Sequence, residues 1–414
     1  MTRSRLPNTR LRTLLEEAGW TQEGLARAVN AVGSEIGLRL RYDRSAVAHW
    51  LSGSCPEQRV SALVCEALRR RTGRVVTAEQ AGFPATAAGL EIGGSRLGAL
   101  LHELSPNLPY QSAAVLPGQR GGGDPPVVPA QRTDPTGQPW GAVRFFTEVF
   151  LAHGGGFART TLRAYLSDAI AGRLAGTGTP AGRTRYAEAS QLTLLLGRMY
   201  ADDMLHGAAQ RCFLTARDLA LAGGHQGLAV IALRTLSTQA HRLGHLRTAD
   251  AAAEVAARTA RHTPRAVRAF TQAQLAVTAA SRGRRADALR ALSAADSAAD
   301  GAAQTRGHPF ESYPRADLEF QRAGVLLALG EPAQAADALA HALATRPGAD
   351  RRGAALTRLR LAGVLLSLGR LDEARDHERV LRGEGTGLRS VAVHRSMESL
   401  RQTLLRVAGR VGEG

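Results

Sequence analysis

The chain has 414 residues and a formal net charge of +17, and its 53 basic residues are all arginine. The usual Walker-A phosphate loop, Schiff-base enzymes and the protein-kinase ATP site each require a lysine, so the composition excludes them. Aromatic residues make up only 4% of the chain, and alanine and leucine carry most of its apolar content. Because β-strands favour β-branched and aromatic side chains, we predict an all-α fold.

The composition also indicates where the protein works. No apolar run approaches the roughly 18 residues that a membrane-spanning helix needs, and residues 1–12 lack the apolar stretch of a secretory signal. The three cysteines, Cys55, Cys65 and Cys212, are scattered in a way typical of free thiols in a reducing compartment. A sequence pI of about 11.2 favours an acidic partner, although the arginine bias also reflects a GC-rich genome. We therefore predict a cytoplasmic, nucleoid-associated protein without membrane contact.

Composition divides the chain into three regions. Residues 1–84 hold 13 arginines and 8 acidic residues, a net charge of +5, and have the pattern of a compact helical domain. Residues 85–139 contain eight of the 17 prolines and the run Gly121–Gly123, so we predict a largely disordered linker. Residues 140–414 return to helical periodicity and hold 37 arginines and 24 acidic residues, a net charge of +13.

Five short helices are predicted in residues 1–84. The first has an apolar face at Leu11, Leu14, Leu15 and Ala18 and is closed by Gly19. The other four are expected at 22–30 after the N-cap Thr21, at 44–51 after the N-cap Asp43, at about 57–72, and in a short segment after Thr77.

The third predicted helix has two contrasting faces. Val47, Trp50 and Leu51 have the spacing of residues that pack inward. The residues expected on the outward face are Arg44, Ser45 and His49. A helix N-terminus in the major groove has a favourable dipole, and its first-turn side chains reach base edges, where arginine can pair with guanine O6 and N7.

The segments Thr21–Ala26 (TQEGLA) and Arg44–Gly53 (RSAVAHWLSG) resemble the helix-turn-helix of the phage-repressor family, also called the Cro/C1 or XRE family. The resemblance implies that Gln22 braces the phosphate backbone and the third helix. It also implies that Arg44 and Ser45 contact base edges, with His49 one turn further along the same face.

The connection between the second and third helices is longer than is usual in that family. Its segment Ile36–Arg41 adds Arg39 and Arg41 as candidates for contact with phosphate. Two alternatives stay open for this region: the domain is a plain helical cap without a role in DNA binding, and His49 is a solvent-facing or core histidine rather than a base reader.

A pattern with a period near 40 residues follows the linker. Each copy has a turn residue, a small residue seven positions before it, and alanines five and twelve positions after it, although the last copy ends on Leu381. The turn residues are Met204, Gly244, Gly283, Gly330 and Gly369, with spacings of 39 to 47 residues. The pattern is similar to the tetratricopeptide repeat, in which small residues let two antiparallel helices pack closely.

This resemblance implies a C-terminal α-solenoid. The helix pairs are expected at about 185–222, 226–262, 266–299, 317–345 and 353–381, with a capping helix at 388–410 and a further pair, 140–152 and 157–172, before the repeats. Each pair is expected to pack only against its neighbours and to leave a concave surface that binds a peptide or a protein helix. A spacer or a dimerisation element is the alternative.

The whole arrangement resembles a set of actinobacterial regulators that includes negative regulators of differentiation and antibiotic production. The segments His153–Arg159 and Leu195–Met199 are similar to landmarks of that set. The resemblance implies a sequence-specific transcriptional regulator, a repressor of differentiation or secondary metabolism, that binds double-stranded operator DNA as a homodimer. A protein-interaction scaffold with a vestigial or non-specific DNA-binding head is the alternative.

No group of residues predicts an enzyme. The run His153–Gly156 is similar to an esterase oxyanion loop, but the chain has no Gly-x-Ser-x-Gly elbow to accompany it. His241 and His245 straddle a predicted turn without a nearby acidic or cysteine partner, and Asp202 and Asp203 lie beside another turn. We predict no catalytic residues, no cofactor and no metal site.

Overall fold

A computed structural model describes residues 7–35, 40–72, 76, 78, 80–83, 93–116, 141–174, 180–300, 313–384 and 387–411. These residues form eighteen α-helices with short connecting turns and no β-strand, so the predicted all-α class is confirmed. They fall into two compact units. The first comprises the described parts of Met1–Ile92 with Leu104–Ala114 and Leu205–Ala208, and the second comprises Gly93–Glu103, Val115–Met204 and Ala209–Gly414.

The first unit is built from four helices around one apolar core. The helices are α1 (Thr9–Ala18), α2 (Gln22–Glu35), α3 (Arg44–Leu51) and α4 (Gln58–Thr72). Asn8 ties the ends of the unit together: its Oδ1 accepts from Leu11 N at 3.0 Å and its Nδ2 donates to Ala81 O at 2.9 Å. Its backbone N–H also donates to Leu51 O at 2.9 Å, so α1, α3 and residue 81 share one buried anchor.

Two predictions for this unit are wrong. Helix α2 continues to Glu35 instead of ending near Asn30, because Val32 extends the buried face begun by Leu25 and Val29. The described residues after position 77 form turns rather than a fifth helix, and Ala81 and Phe83 of these turns are buried in the core. The predicted segment Ile36–Arg41 lies outside the described residues except for its last two positions.

The predicted linker 85–139 contains a folded helix, α5 (Gly93–Glu103). It precedes the first of the eight prolines, and its Leu97, Leu100 and Leu101 are buried. Arg163 donates from its guanidinium to Leu101 O at 2.6 Å. Helical spacing of apolar residues in a stretch without proline therefore outweighs the composition of the whole segment.

The second unit contains the predicted helix pairs, each within a few residues of its expected position. The first pair is α6 (Gly141–His153) and α7 (Gly155–Tyr165). Helix α7 continues through one π-helical turn and one 3-10 turn to Arg173. The pairs that follow are α8 (Pro180–Asp202) with α9 (His206–Ala222), α10 (Gln226–Arg242) with α11 (Leu246–Thr259), α12 (Arg265–Ser281) with α13 (Arg285–Asp300), α14 (Arg315–Ala328) with α15 (Pro332–Ala344), and α16 (Arg351–Ser367) with α17 (Leu371–Glu384). The last helix is α18 (Val391–Val411).

The repeated small residues lie where the two helices of a pair touch. The alanines that follow each turn are 0% exposed, and so is Leu381, which replaces the final alanine in the last copy. Gly197 holds the small position of the first copy, where an added Cβ would lie 2.5 Å from the Phe213 ring. The four predicted turn glycines have φ between 73° and 79°, and Met204 adopts the same left-handed region at φ 61°.

One prediction about the repeats is wrong, because the pairs do not pack only against their neighbours in sequence. Helix α6 packs against both α8 and α16, so the first pair meets the last repeat. Asp202, at the end of α8, accepts from Gly155 N at 2.8 Å, from Ser390 Oγ at 2.9 Å and from Arg352 Nε at 2.7 Å. A single buried carboxylate thus joins α7, α8, α16 and the segment before α18.

The same contacts explain the glycines between α6 and α7. The N–H of Gly156 donates to Arg389 O at 2.8 Å, and the N–H of Arg389 donates to His153 O at 2.7 Å. An added Cβ on Gly154 would lie 2.7 Å from Arg389 O, and one on Gly155 would lie 2.5 Å from Met199 O. The run is therefore a turn that lets two backbones approach closely, as the absence of a nucleophile elbow indicated.

None of the described helices combines the length and the apolar character required to cross a bilayer.

Candidate nucleic-acid interface

The N-terminus of α3 is fixed by its cap. Asp43 has an extended backbone, and its Oδ1 accepts from Ala46 N at 3.0 Å, as the sequence predicts. This backbone hydrogen bond, together with one from the Ser45 side chain, lowers the pKa of the Asp43 carboxyl. The cap is therefore ionised near neutral pH and holds the first turn of α3 in place.

The two faces of α3 are separated as predicted. Val47, Trp50 and Leu51 are at most 6% exposed and belong to the core of the unit. The outward residues Arg44, Ser45 and His49 are exposed. Together they form one polar strip along the first two turns of α3, and this strip is the candidate interface.

The hydroxyl of Ser45 is already engaged as a donor. Its Oγ donates to Asp43 Oδ1 at 2.7 Å. A hydroxyl has one proton, so towards a base edge Ser45 can act only as an acceptor. The base atoms that it suits are donors, such as the amino groups of adenine N6 or cytosine N4.

A second anchor, which sequence reasoning missed, fixes the approach to α3. The side chain of Asn30 on α2 donates from Nδ2 to Tyr42 O at 2.8 Å and accepts from Tyr42 N at 2.9 Å through Oδ1. The Tyr42 ring packs edge-on against Trp50 at 5.3 Å between ring centres. These contacts hold the end of the long connection against α2 and α3. The clue in the sequence was an asparagine beside the apolar positions Val29 and Val32 of α2.

The remaining predicted residues are less closely associated with the strip. Gln22 is the first residue of α2 and is partly exposed, and its side chain forms no hydrogen bond with any residue in the described part of the chain. Thr21 caps α2 as predicted by accepting from Gly24 N at 3.1 Å. Arg41 is exposed, two positions before Asp43. Arg39 lies outside the described residues.

Elsewhere, the side chains considered above as possible catalytic or metal-binding groups have partners within the fold. His241 contacts Ser281, and Asp203 pairs with Arg159. Among the described residues, no three of the His, Cys, Asp and Glu side chains are grouped so that they could hold a metal ion. All three cysteines are free thiols, and burial raises the pKa of Cys65 to about 12.

Comparison with known proteins gives one family. A model described as the SP15 N-terminal domain matches residues 11–84, which include most of α1 and all of α2, α3 and α4. No curated protein matches the chain. The match is thus confined to the N-terminal part of the chain and contains the candidate interface.

Proposed function

We propose that the protein is a sequence-specific DNA-binding transcriptional regulator. The observation that carries this proposal is the exposed strip of Arg44, Ser45 and His49 on a capped helix whose opposite face is buried. Such a helix can enter the major groove as a rigid element, and its N-terminal dipole favours the approach to phosphate. The resemblance to repressor-type regulators of actinobacteria supports a role as a repressor of differentiation or secondary metabolism.

The helical repeats of the second unit provide the regulatory part in this proposal. Repeat arrays bind ligands or partner chains through surfaces shared by several helices. A homodimer would place two copies of α3 about 34 Å apart, one turn of DNA, and would recognise a nearly palindromic operator. The protein would act in the cytoplasm, associated with the nucleoid.

The test is binding of the full chain to genomic DNA fragments, followed by gel shifts on the selected site. Arg44→Ala should cost about 1 to 3 kcal/mol of specific binding and relax the base preference at one position. Gln22→Ala should weaken binding to all sequences to a similar degree, because it removes a contact with phosphate. Arg379→Ala, which removes an exposed cation of α17, is the control and should change neither property.

Equal, salt-sensitive binding of all fragments by the wild type and by Arg44→Ala would refute sequence recognition. The alternative function, a protein-interaction scaffold with a vestigial head, predicts that the 140–414 fragment retains full biological activity. A single complementation experiment therefore distinguishes the two functions.

A further inference from the structure

The first helices of the pairs in the second unit form an inner layer. Helix α8 packs against α10, α10 against α12, and α12 against α14. Arg360 of α16 lies 4.9 Å from the Phe320 ring centre of α14, and α6 packs against both α16 and α8. The layer therefore closes on itself.

Five arginines of this layer form what we call the inner arginine cluster: Arg198, Arg234, Arg242, Arg352 and Arg360. Four of them lie over aromatic rings of neighbouring inner helices. Arg198 and Arg352 share the Phe150 ring, at 5.3 and 4.6 Å from its centre, and Arg234 lies 3.7 Å above the Phe270 ring. Ring faces attract guanidinium groups but do not neutralise their charge.

The cluster has more cations than ion-pair partners. Arg352 pairs with the buried Asp202 at 2.6 Å. The other four cluster arginines form no ion pair with any carboxylate in the described parts of the chain. Arg234 is only 7% exposed, whereas Arg242 is exposed, so solvent reaches part of the cluster.

The cations of the cluster act on one another. Partial desolvation among the inner helices lowers the pKa of Arg242, and the charges of Arg352 and Arg360 lower it further. Burial likewise lowers the pKa of Arg234 to about 10. Holding such charges close together costs free energy, which the nearby carboxylates of Asp202 and Asp317 offset only in part. A bound anion would recover more of it.

Two uncharged side chains independently indicate that a polar ligand belongs in the inner layer. Gln191 is 1% exposed, and within the described part of the chain neither its Nε2 nor its Oε1 has a hydrogen-bond partner. It lies seven residues, or two helical turns, before Arg198 on the same face of α8. The hydroxyl of Tyr313 is also buried without a partner among the described residues. Its ring packs edge-on, at 5.3 Å between ring centres, against the Phe270 ring that Arg234 covers. Native proteins rarely leave such groups unsatisfied.

We propose that the inner arginine cluster binds a small molecule that carries a diphosphate or triphosphate group. The planar guanidinium fork matches phosphate oxygens in bidentate pairs, and four unpaired cations suit more than one phosphate charge. Because the inner layer is closed by α6, a compact ligand fits it better than a peptide helix. Such a ligand would act as a signal in the proposed regulator, but its binding requires no DNA, so either proposal can fail alone.

The test is calorimetric titration of the full chain with inorganic triphosphate at constant ionic strength. Arg242→Gln and Arg198→Gln should each weaken binding about tenfold or more, because each removes a charge-assisted contact. Arg265→Gln is the matched control, since Arg265 is an exposed residue of α12 that forms no ion pair with a described carboxylate, and it should bind as the wild type does. Without ligand, Arg242→Gln should melt at a higher temperature than the wild type, because repulsion within the cluster is relieved.

Four results would overturn the proposal. These are no binding of triphosphate at millimolar concentration, equal weakening by Arg265→Gln, tighter binding of an oligoglutamate peptide than of triphosphate, and a lower melting temperature of Arg242→Gln with unchanged binding. The third result would identify an acidic peptide as the ligand, and the fourth would assign the arginines a purely structural role.

Discussion

His241, near the end of α10, shows how a single side chain is set by its surroundings. Its Nε2 lies 2.7 Å from Ser281 Oγ, and that hydroxyl donates its one proton to Val277 O at 2.9 Å. The imidazole Nε2 is therefore the donor in this contact. Desolvation lowers the pKa of His241 below 6.5, and the charges of Arg242 and Arg360 lower it further.

This lowered pKa gives a prediction for stability against pH. Below pH 6.5 the unfolded chain binds a proton at this residue more readily than the folded protein does, so the free energy of unfolding should fall as the pH drops through that value. His241→Asn removes this titration and should flatten the dependence, as measured by urea unfolding at a series of pH values. His394→Asn, at an exposed position of α18, is the control for a histidine substitution away from this contact. An unchanged slope in His241→Asn would contradict the prediction.

At the scale of the element, the backbone conformation of a glycine decides the effect of the same substitution. Gly330 lies between α14 and α15 at φ 79°, and apart from its chain neighbours no described residue has a heavy atom within 4 Å of an added Cβ. Gly363 lies inside α16 with equally open space. The space around the two positions is therefore matched, and only the backbone differs.

We expect opposite signs from alanine at these positions. Gly330→Ala should destabilise the protein by about 1 to 2 kcal/mol, because a side chain is strained in the left-handed region. Gly363→Ala should stabilise it by about 0.5 to 1 kcal/mol, because alanine loses less conformational freedom in a helix. Chemical denaturation of both variants measures the difference, and shifts in the same direction would show that the turn does not impose the strain.

At the scale of the whole second unit, the buried carboxylate of Asp202 holds distant segments together. Arg352 is 150 residues further along the chain and Ser390 is 188 residues further, yet both contact this one side chain. Asp202→Asn would leave the largely buried Arg352 without its ionic partner. Since broken buried pairs are strongly destabilising, we expect a loss of about 3 to 5 kcal/mol.

Asp376→Asn on α17 is the control. Asp376 pairs with the exposed Arg379, and this pair should contribute no more than about 1 kcal/mol to stability. Thermal unfolding of the two variants measures both changes. If the melting temperature of Asp202→Asn were close to that of the control, the contact between the first pair and the last repeat would not contribute to stability.

The sequence predicted the features that arise from contacts between near neighbours along the chain. Helix pairs, turn glycines, the Asp43 cap and the two faces of α3 all follow from spacings of three to twelve residues. Helical periodicity places such residues on one face whatever the rest of the fold does. The outward position of Arg44, Ser45 and His49 was predictable for the same reason, while their contact with DNA stays a prediction.

Only the tertiary structure decided which distant residues meet. The contact of Asp202 with Arg352 and the inner arginine cluster each combine residues from different helices, and the side chain of Asn30 joins α2 to Tyr42 in the connection before α3. No local spacing specifies such contacts, because they depend on how the helix pairs stack and close. The sequence by itself therefore determined an all-α chain with a small head and repeated pairs. The closure of those pairs, and with it the concentration of unpaired positive charge, followed from packing.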